Sequence, residues 1–385
     1  MIPVTRPFMP PEADYIARIG DIYRAGQWTN HGPQVREFEQ RITALTGVRH
    51  FHYIANGTIA LQLALKALPQ QGEVITTPFS FVATLSSIVW EGFTPRFVDI
   101  DPDTLNIDAG RIEAAITERT VAILATHVYG NPCDIHAIQA IADRHGLKVI
   151  YDAAHCFGTL YQGRSVFNYG DISITSFHAT KLFHTIEGGG LFTNDAELSA
   201  ALRATREFGQ VGQEGYMLAG INGKNSEVHA AMGLTILPWL EAILARRSAI
   251  ARAYDERFVG SGLQRPAVIP GTRSNHAYYP ILFASEQHLL DAVERLAAIE
   301  VVPRRYFAPS LNTLAWVPHA FMPVAEDVAA RVLCLPSYHE LDAESIDRIA
   351  DAVLDGLPRS ANLAPAAMPA IHHAELTQQA VGMRP

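Results

Sequence analysis

Residues 176–195 read Ser176-Phe177-His178-Ala179-Thr180-Lys181-Leu182-Phe183-His184-Thr185-Ile186-Glu187-Gly188-Gly189-Gly190-Leu191-Phe192-Thr193-Asn194-Asp195. The residues before them, Asp171-Ile-Ser-Ile-Thr-Ser-Phe177, have the β-branched content and alternation of a strand, and Gly190 to Asn194 reads as another short strand. Lys181 therefore falls on a loop between two strands, with no other Lys or Arg from Phe167 to Leu202. A lysine in apolar, hydroxyl-rich company loses solvation of its charged form, which lowers its pKa and frees the amine as a nucleophile. That is the chemistry of a Schiff-base lysine. Taken alone, a lysine in a Gly-rich turn is more often a solvated surface residue, so the residues upstream decide between the two readings.

The chain has 385 residues, 48% of them hydrophobic and 18% charged, enough for a large interior and too many for one ordinary core. Two domains and a tail are expected: a large α/β domain over 1–240 with the N-terminal segment, a smaller α+β domain over 241–357, and a mobile tail over 358–385 that is rich in Ala, Pro and polar residues. The formal charge of −9, with no basic block against it, speaks against nucleic acid or an anionic membrane surface as partner. No apolar run reaches about 20 residues and the N-terminus lacks a signal-peptide core, so a cytoplasmic protein is expected. Cys133, Cys156 and Cys334 lack C-x-x-C spacing, which predicts buried free thiols and no metal site.

Short apolar runs recur at His52–Ala55, Glu73–Thr76, Arg96–Asp99, Val121–Ala125 and Lys148–Asp152, separated by helical patterns over Thr58–Leu68, Phe81–Trp90, Ala109–Ile116 and Ile135–His145. Strands alternating with helices mean a mostly parallel sheet covered on both faces. With the two strands around Lys181 the count is seven. The Gly-rich stretch from Gly209 to Lys224 is too polar for a core, and Ser226 to Tyr254 reads as one long helix or two, interrupted at Pro238.

Lys148-Val-Ile-Tyr-Asp152-Ala-Ala-His155 puts a carboxylate at the C-terminal end of a strand, where open parallel sheets bind ligands. An aspartate buried there needs a positive partner, and a protonated pyridine nitrogen would supply one; a helix N-cap is the competing reading. Asn56-Gly57-Thr58 follows a strand and opens a helix, which gives a cradle for one phosphate. It is no dinucleotide fingerprint, since neither G-x-G-x-x-G nor G-x-x-x-x-G-K-[ST] follows a strand.

Together these segments resemble fold-type-I pyridoxal-phosphate enzymes, and closely the DegT/StrS type of sugar-nucleotide aminotransferase. The resemblance runs from the Gly26 loop to about Leu354. It rests on a Gly-Thr helix start, Thr77-Pro-Phe-Ser-Phe-Val82, Asp152-Ala-Ala154, Ser176-Phe-His-Ala-Thr-Lys181 with Glu187-Gly-Gly189, and Gly220-Ile-Asn222 before Ser226-Glu227. It implies that Lys181 carries pyridoxal 5'-phosphate covalently and that Asp152 pairs with its pyridine nitrogen. It further implies that Phe81 stacks on the ring and that Gly57, Thr58 and Ser176 hold the phosphate. Asn222 would reach that phosphate from the partner subunit, making a homodimer with shared sites. His155 stands where many relatives have glutamine and would bond the ring hydroxyl, while Gly223 stands where an aromatic residue is common. Ser-Phe-His before the lysine and Glu-Gly-Gly after it resemble members that aminate C4, among them enzymes acting on dTDP-4-keto-6-deoxyglucose. L-Glutamate would be the donor and pyridoxamine 5'-phosphate the intermediate. His178, His184, Arg304 and Tyr306 are candidates for contacts with the nucleotide-linked ketosugar or donor, with Arg304 and Arg305 as alternatives for the arginine that faces the site. A GDP-linked ketosugar and a non-catalytic, cofactor-binding homologue remain open. A dehydratase relative, which replaces the lysine with histidine, is disfavoured by Lys181.

Overall fold

The computed structural model describes residues 1–357; the expected tail over 358–385 lies outside the described residues. Seven strands form the main sheet: β1 (His50–Ile54), β2 (Glu73–Thr76), β3 (Thr94–Phe97), β4 (Thr120–Thr126), β5 (Lys148–Asp152), β6 (Ile172–Ser176) and β7 (Gly189–Thr193). Their spatial order is β1-β7-β6-β5-β4-β2-β3, and only β7 runs against the others. β4 reads Thr-Val-Ala-Ile-Leu-Ala-Thr, apolar on both faces, and is buried from end to end, as a sheet covered on both sides requires.

Six strands pointing the same way bring their C-terminal ends to one edge. Asp152 ends β5, Thr126 ends β4 beside it in register, and Ser176 ends β6. Because β7 is antiparallel, it starts at this same edge, and the lysine loop between β6 and β7 stays there too.

Helix starts also converge on that edge. Gly57–Lys66 begins directly after β1, capped by the Asn56 side chain, which accepts from the Ile59 N–H at 2.9 Å. Val82–Trp90 begins after β2 with Phe81 as its N-cap residue. The glycines after the lysine are explained by close approach: a Cβ on Gly189 would lie 2.5 Å from the Asn56 carbonyl carbon. The lysine loop is thus closed down onto the first turn of the helix that starts at Gly57.

Two helices absent from the periodicity appear, Glu12–Ala25 and Pro323–Arg331. The Ser-Glu pair has an architectural use. Ser226 caps the helix Glu227–Ile236, while the buried Glu227 carboxylate accepts the N–H groups of Gln34 (2.7 Å) and Val35 (3.1 Å) at the start of Pro33–Thr46. The expected interruption at Pro238 is a 3-10 turn, Leu237–Trp239, before the helix Leu240–Phe258.

The helical stretch Glu227–Phe258 is long and apolar enough, by length and composition, to cross a membrane. Half of its most apolar window is buried inside the protein, where Ala230, Leu234, Ile236 and Ile243 join the main core. Further on, Tyr279–Leu282 pairs antiparallel with Val332–Leu335, and the helices Glu286–Ala298 and Ala343–Leu354 pack with Leu240–Phe258 in a second apolar cluster. The first residues, read from sequence with the large α/β part, pair here as Ile2–Pro3 with Val301–Val302.

Candidate active site

A cavity of about 640 Å³ opens at the carboxyl edge of the sheet. Ten of the twelve residues singled out from sequence line it: Gly57, Thr58, Phe81, Asp152, His155, Ser176, His178, Lys181, Arg304 and Tyr306. They come from five separate segments: the parallel topology brings four of them together, and the fifth, Arg304–Tyr306, reaches the cavity from outside the main sheet.

Lys181 is half-buried, and desolvation lowers its pKa from the ordinary lysine value, opposed by the negative charge of Asp152. Its ammonium lies 6.0 Å from the centroid of the Tyr278 ring, and among the described residues it makes no ion pair. Asp152 is buried, and burial raises its carboxyl pKa against two hydrogen bonds that lower it. Those bonds are the Thr84 hydroxyl to Oδ2 at 2.6 Å and the Ala154 N–H to Oδ1 at 3.1 Å. No helix follows Asp152, so the N-cap reading is set aside.

His155 is buried and held neutral, its pKa pushed well down by desolvation. Its ring is parallel to that of Phe307, centroids 5.8 Å apart, and its Nδ1 has no hydrogen-bond partner among the described residues. Asn275 fixes the backbone beneath it, donating to the carbonyls of His155 (2.7 Å) and Phe157 (3.0 Å). Phe81, 54% exposed, forms the opposite side of the cavity mouth.

At the helix start, Ile59 N–H is taken by the cap, which leaves the N–H groups of Gly57 and Thr58 for a ligand. A Cβ on Gly57 would sit 3.0 Å from Ser176 Cβ, so any larger residue would push the β6 end back by a few tenths of an ångström. His178 lines the mouth, its Nδ1 bonded to Thr180 Oγ1 at 2.7 Å and its Nε2 3.6 Å from Glu187.

The two adjacent arginines separate cleanly. Arg305 is tied to Glu286 at 2.8 Å and to the carbonyls of Ala329 and Ala330, whereas Arg304 lines the cavity with no ion pair among the described residues.

Two of the twelve lie elsewhere. His184, expected near the substrate, is a correction: its Nε2 bonds the Phe8 carbonyl at 2.9 Å, its Nδ1 accepts from Ile186 N–H, and its ring is buried away from the cavity. Asn222 is exposed and pairs its backbone with Glu207, outside this chain's own cavity. Conversely, Thr84, Tyr278 and Phe307 were not singled out from sequence and belong to the site.

An open parallel sheet with a lysine and an aspartate facing one cavity at its carboxyl edge defines a transferase of fold type I. A family model described as the DegT/DnrJ/EryC1/StrS aminotransferase family matches residues 11–354. The chain is 40% identical over 363 residues to a Shigella dysenteriae protein named dTDP-4-amino-4,6-dideoxy-D-glucose transaminase, covering 91% of this chain and 97% of that one. An Escherichia coli protein of the same name is 39% identical, over 92% and 98% of the two chains. Among solved structures, DesI in the presence of its TDP-sugar product superposes with a TM-score of 0.87 at 37% identity, covering 92% of each chain. The chain belongs to the DegT/DnrJ/EryC1/StrS aminotransferase family, and it is a sugar aminotransferase.

Proposed function

We propose that this aminotransferase moves the amino group of L-glutamate to C4 of dTDP-4-keto-6-deoxy-D-glucose, giving dTDP-4-amino-4,6-dideoxyglucose, with pyridoxal 5'-phosphate held at Lys181. The observation that carries the reading is one cavity holding a desolvated lysine, a buried carboxylate with no cationic neighbour at ion-pair distance among the described residues, and an open helix start. Those features fit pyridoxal phosphate in detail. Asp152 supplies the counter-charge for a pyridinium, the buried and unpartnered Nδ1 of His155 suits the ring hydroxyl, and Gly57, Thr58 and Ser176 suit the phosphate. Bound there, the cofactor supplies an electron sink for the bond to hydrogen at the donor's α-carbon.

The chain's own residues do the rest. Phe81 and Tyr278 flank the site, Arg304 offers a free guanidinium to a carboxylate or pyrophosphate, and the Lys181 amine, once released, moves a proton from the donor's α-carbon. The cofactor, held by Asp152, His155, Gly57, Thr58 and Ser176, would store the amino group between the two half-reactions. A substrate with two phosphate charges does not cross a bilayer unaided, which supports a cytoplasmic enzyme. The functional units are read as 1–240 and 241–357, with Arg304 and Tyr306 reaching the cavity from the second. Incubating the protein with dTDP- and GDP-4-keto-6-deoxyhexoses and glutamate, then weighing the products, tests the assignment. Amination of the GDP sugar alone would overturn the nucleotide.

The working unit in this reading is a homodimer with shared sites. Asn222 is exposed on a loop that also exposes Val211, Tyr216, Met217 and Ile221, an apolar patch of the kind that a partner covers. Asn222→Asp would set a carboxylate beside the cofactor phosphate of the neighbouring subunit, and two partly buried anions repel. This variant and Lys181→Ala are each expected to be inactive, yet a heterodimer of the two has one intact site. Such heterodimers should recover about half of the wild-type rate. Heterodimers as inactive as their parents would exclude sharing through Asn222.

A further inference from the structure

Behind Asp152 lies a row of three hydroxyls that no role so far accounts for. Thr126 Oγ1 donates to Ser80 Oγ at 2.9 Å, Ser80 Oγ lies 2.8 Å from Thr84 Oγ1, and Thr84 Oγ1 donates to Asp152 Oδ2 at 2.6 Å. All four side chains are buried, Thr84 completely. They come from three elements: Thr126 and Asp152 end adjacent strands in register, while Ser80 and Thr84 stand on either side of Phe81 at the start of Val82–Trp90.

Proton counting sets the direction of the row. A hydroxyl has one proton to donate. Thr84 spends its proton on the carboxylate, so the Ser80–Thr84 bond must be donated by Ser80, and Ser80 must then accept from Thr126. Every O–H dipole in the row therefore points toward Asp152, and each bond polarises the next. With its far bond donated by Thr126, such an arrangement stabilises an ionised carboxylate at its end over the neutral acid.

We propose that Thr126, Ser80 and Thr84 are positioning residues that hold Asp152 ionised and aimed before the cofactor enters, so that the carboxylate is ready for a pyridinium. The inference rests on the reading of Lys181 and Asp152 as cofactor residues. Burial pushes the Asp152 carboxyl up, toward the neutral acid that could not pair with a pyridinium, and the Thr84 bond is the larger of the two hydrogen bonds that oppose it. The titratable groups facing Asp152 are Lys181 and Cys156. Cys156 stays a neutral thiol because burial pushes it well up, and Lys181 is common to every variant below. The geometry also links two tasks: the segment that presents Phe81 to the cavity carries two of the three hydroxyls, so ring stacking and carboxylate ionisation are built on one helix start.

The test titrates apoprotein with pyridoxal phosphate across pH, following the absorbance of the bound cofactor, with near-ultraviolet circular dichroism as a check on the fold. Thr84→Val keeps the shape and removes the hydroxyl. The pH below which affinity collapses should rise by about one unit, since a charge-assisted bond of this kind corresponds to about a tenfold change or more in the ionisation equilibrium. Thr84→Ser should restore the wild-type profile. Ser80→Ala, one bond further back, should shift the midpoint in the same direction by less, and it decides the matter if Thr84→Val does not fold. A purely structural role would lower thermal stability in these variants and leave the acid limb in place. Superimposable acid limbs for wild type and Ser80→Ala or Thr84→Val would overturn the relay. Wild-type protein that takes up no cofactor on Lys181 would overturn the parent reading instead, before any variant is compared.

Discussion

Lys181→Ala is expected to lower kcat/KM for the ketosugar by about 10,000-fold or more, because it removes both the covalent anchor and the group that moves the α-proton. The neighbourhood offers no replacement. No other Lys or Arg lies between Phe167 and Leu202, His184 is turned toward Phe8, and His178 is already bonded to Thr180. Borohydride reduction of the loaded wild-type protein should fix the cofactor to the peptide containing Lys181. A label on another lysine, or substantial turnover by the alanine variant, would remove Lys181 from its role.

Asp152→Asn is expected to cost about 1,000-fold in kcat with the fold retained. Asparagine keeps one accepting oxygen, for Ala154 N–H, and turns its NH2 toward the Thr84 hydroxyl, which must then accept; it carries no charge to keep a pyridine nitrogen protonated. A second effect has a defined sign. The Asp152 charge raises the Lys181 pKa while burial lowers it. Removing the charge leaves burial opposed only by Tyr306, the smaller of the two opposing influences, so capture of pyridoxal phosphate should reach its maximum at a lower pH in the variant than in wild type. Near-normal kcat would show that the ring nitrogen is partnered elsewhere, and an unshifted capture profile would show that Asp152 and Lys181 are not coupled.

What the sequence made legible was local. The strands Glu73–Thr76 and Lys148–Asp152 and the helix Ile135–His145 have the bounds that their apolar periodicity predicts. Glu12–Ala25 escaped although Tyr15, Ile19 and Ile22 stand at helical spacing, because they are set among exposed polar residues and only Ile22 is fully buried. Pro323–Arg331 escaped for another reason. The N–H groups of Val324 and Ala325 are capped by Asp99, 225 and 226 positions away, and a cap supplied across such a separation leaves no local mark. The site divides along the same line. Lys181, Asp152 and Gly57 stand in motifs with a strand on one side, whereas Thr84 lies two residues beyond the Thr77–Val82 motif and acquires its meaning only when β5 comes alongside. Nearness in sequence also misled. His184 lies three residues from Lys181, and the loop turns it to the opposite side.

The contact of Gly189 with the Asn56–Gly57 turn has a consequence for how the site tolerates motion. Backbone meets backbone there with no side chain between, so the strand that closes the lysine loop and the turn bearing the phosphate seat are parts of one stiff frame. That frame fixes where the lysine loop ends relative to the phosphate seat. The pocket in effect measures its guest: a ligand with an aldehyde and a phosphate at the matching spacing engages both ends at once, and a homologue one methylene longer must leave one of them.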